Sequence, residues 1–171
     1  MHRAAVSRCQ IRVSGYGSAA DGTTPNAPTV LVYFDLLDRE IARDTQGFDG
    51  STVRASKQYN ALGQTAKTSR PYFLSGGTPQ WTTPTYDALG RAVSVTMPDG
   101  SVSRTAYHGL AVTDTNALGQ TRTVTKNSQG RVVSVTDALG KTMTYAHDPL
   151  ANLAKTTDAV GNVVTASYEQ G

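Results

Sequence analysis

Cysteine is almost missing from this 171-residue chain, and Cys9 is the only one. That excludes an intramolecular disulfide and any multi-cysteine zinc site. Aromatic residues are scarce at 7%, mostly tyrosine, with a single tryptophan. Hydrophobic residues reach 38%, below the share usual for a compact globule. Such a chain buries a thin apolar layer more readily than a thick core, which suits a sheet with one wet face. No apolar run approaches the ~20 residues a membrane-spanning helix needs. The start, Met1-His2-Arg3-Ala4-Ala5-Val6-Ser7-Arg8, carries charge but no apolar core segment, so no signal peptide is expected. No stretch has the period of a long amphipathic helix.

Catalytic patterns are equally thin. The three histidines are His2, His108 and His147, with no His-x-x-x-His spacing for zinc. His108 and His147 read as exposed turn residues. No Gly-x-Ser-x-Gly elbow marks a nucleophile among the serines. Away from the probable turns, the carboxylates Asp21, Glu40, Asp44, Asp114 and Glu169 are candidates for acid–base work, and none has a second carboxylate at a telling spacing. Repeated Asp and Asn could gather oxygen ligands for calcium, but no Asp-x-Asp-x-Asp-Gly loop is present, so no metal is expected. Gly15-Tyr16-Gly17-Ser18-Ala19-Ala20 loosely fits a dinucleotide fingerprint. That motif must open a helix, and Asp21-Gly22-Thr23-Thr24-Pro25 follows instead, so it reads as loop and no cofactor is expected. The net charge is +3. Arg3, Arg8 and Arg12 are the nearest thing to a cluster and make no basic stripe, so no nucleic-acid partner is expected. The chain is not expected to be an enzyme.

What is present is a repeat. The phrase Asp87-Ala88-Leu89-Gly90-Arg91 returns as Asn116-Ala117-Leu118-Gly119-Gln120 and Asp137-Ala138-Leu139-Gly140-Lys141. A looser copy is Asp158-Ala159-Val160-Gly161-Asn162. Upstream lie Asn60-Ala61-Leu62-Gly63-Gln64 and Asp35-Leu36-Leu37-Asp38-Arg39, the last with Asp38 where the others have Gly. An Asp or Asn side chain accepts a hydrogen bond from the backbone two residues on and opens a turn. A Gly three residues later takes positive φ without steric cost. Together they make a type I turn closed by a left-handed residue, a common hairpin connection. The Leu is unusual at such a tip, and is expected to fold back over its hairpin under a covering neighbour.

Glycines at 90, 100, 109, 119, 130 and 140 are nine to eleven residues apart, which leaves about six residues per strand. Between them, Arg91 to Thr96 sets Val93 and Val95 against Ser94 and Thr96. Arg131 to Thr136 does the same with Val133 and Val135. In Lys141 to Tyr145, Met143 and Tyr145 oppose Thr142 and Thr144. Alternation across a strand therefore predicts one apolar face and one hydroxyl-rich face. Short β-branched strands at this cadence indicate an all-β fold of repeated antiparallel hairpins.

Upstream the rhythm is less even. Gln10 to Ser14 reads as one short strand, and Gly15 to Thr29 as a linker rich in Gly, Ala, Thr and Pro. Val30 to Phe34 and Glu40 to Thr45 read as strands, with a turn at Asp49-Gly50. Residues 69–85 break the cadence as an irregular insertion holding Tyr72, Phe73, Gly76-Gly77 and Trp81. It is expected to pin the sheet, or else to bind a sugar or partner. The division expected is 1–29 extension and 30–171 hairpin array.

Tyrosines open several units, as in Tyr59-Asn60 and Tyr86-Asp87. With Tyr86-Asp87-Ala88-Leu89-Gly90-Arg91, and with Pro98-Asp99-Gly100-Ser101, the chain resembles the tyrosine-aspartate (YD) repeats of the Rhs family over roughly residues 30–171. The resemblance is to the bacterial branch that includes shell-forming subunits of insecticidal toxin complexes. It implies hairpins coiled into a curved sheet, an arc of a hollow β-shell that encloses a toxin. It also implies a bacterial protein that is secreted or held at the cell surface. The implied partners are further YD repeats of a longer chain or partner subunit, and an enclosed toxin polypeptide. The Rhs-associated core with its self-cleaving aspartate has no counterpart here, since Asp148-Pro149-Leu150 lies inside a repeat. The resemblance thus implies wall rather than toxin or protease. The residues expected to matter are the structural turns: Asn60, Gly63, Tyr86, Asp87, Gly90, Asp99, Gly100, Asn116, Gly119, Gly130, Asp137, Gly140, Asp158 and Gly161. A surface adhesion or glycan-binding module, using the hydroxyl-rich face and Trp81, is the alternative. Open sheet edges pair with other chains, so the isolated array is expected to associate or to be marginally stable.

Overall fold

The structure, a computed structural model, describes residues 10–14, 29–47 and 49–168. The motif at Gly15, the carboxylates Asp21 and Glu169, and His2 and Cys9 lie outside the described residues. All regular structure among the described residues is β. The chain forms two compact units: Met1–Thr85 with Thr96–Gly100, and Tyr86–Val95 with Ser101–Gly171.

In the first unit, β1 (Gln10–Ser14) pairs antiparallel with β2 (Val30–Phe34), and β2 with β3 (Glu40–Gln46). Next come β4 (Thr52–Tyr59) and β5 (Thr65–Ser69). β4 is long enough to serve two neighbours along one edge. Lys57 to Tyr59 face β5, while Val53 and Arg54 face the two-residue β6 (Tyr72–Phe73). β7 (Trp81–Tyr86) returns against β5, with Ser69 opposite Trp81. The stretch 69–85, expected to be irregular, thus holds two strands, and within it Arg70, Pro71 and Leu74 to Gln80 lie outside them. The sequence pattern hides this because β6 is too short to show a period and Pro84 lies within β7. Proline is tolerated in a strand where no ladder donor is needed.

The second unit is an antiparallel meander. β8 (Ala92–Thr96) neighbours β9 (Val102–His108). β10 (Ala111–Thr115), β11 (Thr121–Lys126), β12 (Val132–Thr136), β13 (Thr142–His147), β14 (Leu153–Thr157) and β15 (Val163–Thr165) follow in sequence order. The register builds two opposed rows. Tyr107, Val112, Val124, Val135 and Met143 pair in series across five strands. On the other face Thr113, Thr123, Thr136 and Thr142 do the same, with hydroxyl contacts of 2.9 Å for Thr113–Thr123 and 2.8 Å for Thr136–Thr142. Cross-strand pairs of this kind are the unit of sheet stabilisation.

Almost nothing is fully buried. Among the described residues only Val32, at 6% exposure, and Asp44, at 4%, fall in the buried class, and both are in the first unit. A sheet without a second layer cannot enclose its apolar side chains. Hydrogen-bonded ladders, cross-strand rows and turns therefore hold this fold.

Candidate functional site

The recurring corner has one geometry. Its third residue after the opening Asp or Asn donates its amide to the opener's carbonyl, as Gly63 does to Asn60 and Gly140 to Asp137, both at 3.0 Å. The opener's own amide donates to the carbonyl four residues on, as Asn116 does to Gln120 at 3.0 Å. The opener's Oδ1 then accepts two further amides. Asp87 takes Leu89 and Arg91, each at 2.9 Å, and Asp158 takes Val160 at 3.0 Å and Asn162 at 2.8 Å. Four hydrogen bonds close a five-residue loop without help from any other segment.

The closing residue is left-handed. Gly63, Gly90, Gly100, Gly119, Gly130, Gly140 and Gly161 have φ between 75° and 93°. Asp38 (φ 59°) and Ala151 (φ 84°) occupy the same position without glycine's freedom. The corner at Gly100 is built differently, because its amide donates to Met97, so Asp99 sits inside the turn rather than opening it. Tyr86 is half-buried at the end of β7.

A side-chain pair closes several of the loops. Asp35 holds Arg39 (2.6 Å) and Asp87 holds Arg91 (2.7 Å) as ion pairs. The Asn60 and Asn116 amides each donate to the Gln four residues on, at 2.8 Å. Asn152 and Asn162 donate to Asp148 and Asp158. A carboxylate opener thus meets a donor, and an amide opener meets an amide carbonyl. The Arg39 side chain pulls the Asp35 carboxyl below its usual pKa, as the Asn152 and Asn162 side chains do for Asp148 and Asp158. For Asp87 the Arg91 backbone amide has the largest part. Hydrogen bonds of this kind favour the charged form of the carboxylate.

Tyrosines clamp the corners from the neighbouring strand or the residues just after it. Tyr59 donates to the Glu40 carbonyl (2.9 Å) beneath the Arg39 guanidinium, 4.4 Å from its ring centre. Tyr107 repeats this with Ala92 (3.2 Å) and Arg91 (4.0 Å). Tyr168 donates to Leu153 (3.1 Å). In each case the acceptor is the fifth residue after a turn opener. The sequence pattern does not reveal this contact, because donor and acceptor lie 15 to 19 residues apart.

The tip leucines do not fold back. Leu62, Leu89, Leu118 and Leu139 are 77–84% exposed. Their amides are drawn inward to the opener's Oδ1, which directs the side chains away from the hairpin. His147 also departs from expectation. It ends β13, half-buried, and its Nδ1 has no protein hydrogen-bond partner. His108 is exposed at the end of β9.

Of the remaining carboxylates, Asp44 is the one in a built cluster. Arg54 grips it at 2.6 and 2.7 Å, Tyr33 donates to it at 3.0 Å, and the Arg54 head lies 5.1 Å from the Tyr33 ring centre. This ties β2, β3 and β4 together. Arg54 holds the Asp44 carboxyl below the usual range. Glu40 pairs with Arg43 (3.0 Å), and Asp114 accepts from Thr105 (2.7 Å). No group of three His, Cys, Asp or Glu among the described residues is placed to hold a metal. Tyr59, Tyr72 and Trp81 share an open groove of about 570 Å³ with Arg39 and Lys57, and the Lys67 ammonium lies 4.4 Å over the Trp81 ring. No helix among the described residues is long and apolar enough to cross a membrane.

No curated protein is similar enough to this chain to count as a match. Solved structures are. The fold matches a chain of the TcdB2-TccC3 crystal structure with a TM-score of 0.65 at 17% identity, and one of TcdB2-TccC3-Cdc42 with the same score at 16%. In each case 77% of this chain is covered but only 9% of the other, so it spans a small part of those proteins. The family model described as RHS Repeat matches residues 127–168. That segment runs from the corner opened by Asn127 to the clamping Tyr168, and the same corner recurs upstream of it. Residues 127–168 thus match an RHS repeat, and the fold around them is similar to that of the toxin-complex structures.

Proposed function

We propose that this chain is a non-catalytic segment of a shell wall, and that in the longer assembly the wall encloses a toxin-like polypeptide. The observation that carries the reading is the self-contained corner. Because each hairpin is closed by its own backbone and side chain, strands can be added without a core, and stability becomes a sum of unit and neighbour terms. A continuous ladder of this kind is a barrier to water and protease. The corner carboxylates serve as acceptors for their own loops, and Glu40, Asp44 and Asp114 are engaged by Arg43, Arg54 and Thr105. The RHS-repeat match over residues 127–168 and the likeness to TcdB2-TccC3 support a place outside the cytoplasm, at the surface or beyond.

The test uses the native assembly from its producing cell. Protease is added before and after mild acid or denaturant opens the wall, and the protected polypeptides are sequenced. A non-repeat polypeptide that survives only while the repeats are intact supports containment. Equal digestion in both conditions would sink it.

The groove of Tyr59, Tyr72 and Trp81 favours a second reading, a glycan-binding surface. Aromatic rings beside polar side chains suit sugar rings. Saturable binding on a glycan array that Trp81→Ala abolishes would support it, and binding unchanged by Trp81→Ala would end it.

A further inference from the structure

In the second unit, three apolar-tipped corners project from one edge of the sheet. They are the corners at Leu118, Leu139 and Val160, each two antiparallel strands from the next. Strands lie about 4.8 Å apart, so the tips recur roughly every 10 Å. All three are at least 80% exposed. Turns are dominated by Gly, Pro, Asn, Asp and Ser, so three aligned apolar tips are an ordered surface rather than scattered exposure.

The same edge also carries a recess. Between the corners at Leu139 and Val160, the floor is Val135 and Met143 and the rim is Asp137, Lys141, Asp158 and Val160, enclosing about 320 Å³. Val135 and Met143 end the apolar row of the sheet. A projecting Leu and a recess of this size on one edge are complementary features of the same molecule. Charge selects among the corners. The rim holds two carboxylates and one ammonium. Of the three corners on this edge, the one at Leu139 is part of that rim, and the one at Val160 carries Asp158 partnered only by neutral Asn162 and would bring a further like charge. The corner Asn116–Gln120 is neutral, its two amides satisfying each other at 2.8 Å.

We infer that this edge is a self-docking surface, on which the Leu118 corner of one copy enters the Val135–Met143 recess of a second copy. Recess and corner lie on one edge, so a two-fold axis between the copies satisfies both at once, the isologous arrangement of most homodimers. The two apolar rows then lap over each other and supply the second layer the sheet lacks. The inference does not depend on containment of a cargo.

The test is sedimentation of the full chain over a hundredfold range of concentration. A dimer in reversible exchange with monomer is expected. Leu118→Ser should weaken it by ~10-fold or more, since one Leu side chain leaves a buried site. The β-sheet circular dichroism should stay unchanged, because the tip packs against nothing in its own copy. Val164→Lys on the terminal strand β15 should leave association unaltered, which separates docking of the corners from open-edge strand pairing. In a Cys9→Ser background, L118C combined with A159C should give an intermolecular disulfide under mild oxidation. A chain that stays monomeric throughout, or a Leu118→Ser variant that dimerises like the parent, would overturn the inference. So would association abolished by Val164→Lys alone, or absence of the 118–159 crosslink.

Discussion

The two units use the same corner but brace it in different ways. The first has a polar knot, Tyr33–Asp44–Arg54, that ties three strands, and the two buried residues among those described, Asp44 of the knot and Val32, lie in this unit. The second has no buried residue among those described and relies on cross-strand rows of Val and Thr. One sheet is thus anchored at a point, while the other is held evenly along its length. A repeat sheet therefore needs no core if each corner is closed locally, yet one buried ion pair makes a local sequence irreplaceable.

The largest separation of the two should come from Asp44→Asn. It leaves the Arg54 guanidinium without its counter-charge and should cost ~3 kcal/mol, seen in a urea melt as loss of the first unit. No single substitution in the Val or Thr rows should match it. The same pair sets an acid limit. The Asp44 carboxyl is held below its unfolded value of about 3.9, so its stabilisation is complete above that pH and is lost as the pH falls toward the folded value. Urea midpoints measured down to about pH 3 should fall in the parent, and less steeply in Asp44→Asn. An identical acid slope in both would remove Asp44 from the account.

A second contrast uses glycine. A Cβ on Gly77 in the first unit would collide with the Phe73 carbonyl, whereas one on Gly119 in the second meets nothing within 4 Å. Gly77→Ala should cost ~2 kcal/mol through overlap. Gly119→Ala should cost ~1 kcal/mol through its left-handed φ alone. Equal costs in thermal melts would show that conformation, not crowding, governs both. The smallest effect should be a gain. Ala151 holds φ 84°, and Ala151→Gly relieves that strain by ~1 kcal/mol, partly offset by the freer unfolded chain. A lower melting temperature would contradict it.

The openers and the left-handed glycines were legible because each corner is closed within five residues, and local chemistry shows in local sequence. The alternation of Val with Ser and Thr was legible for the same reason, since side-chain period follows backbone pleat. The direction of the tip leucines was not, because it depends on the inward pull of their own amides. Nor were the strands inside 69–85, where β6 is defined only by its partner Val53–Arg54.

Sequence alone thus determined where the chain bends, and that it is an all-β array of hairpins. The tertiary structure decided which distant groups meet: Tyr107 on Ala92, Arg54 on Asp44, and Val135 beside Met143 on the floor of the recess. Bends need only neighbours a few bonds away, whereas these contacts depend on strand register, which pairing across the sheet sets.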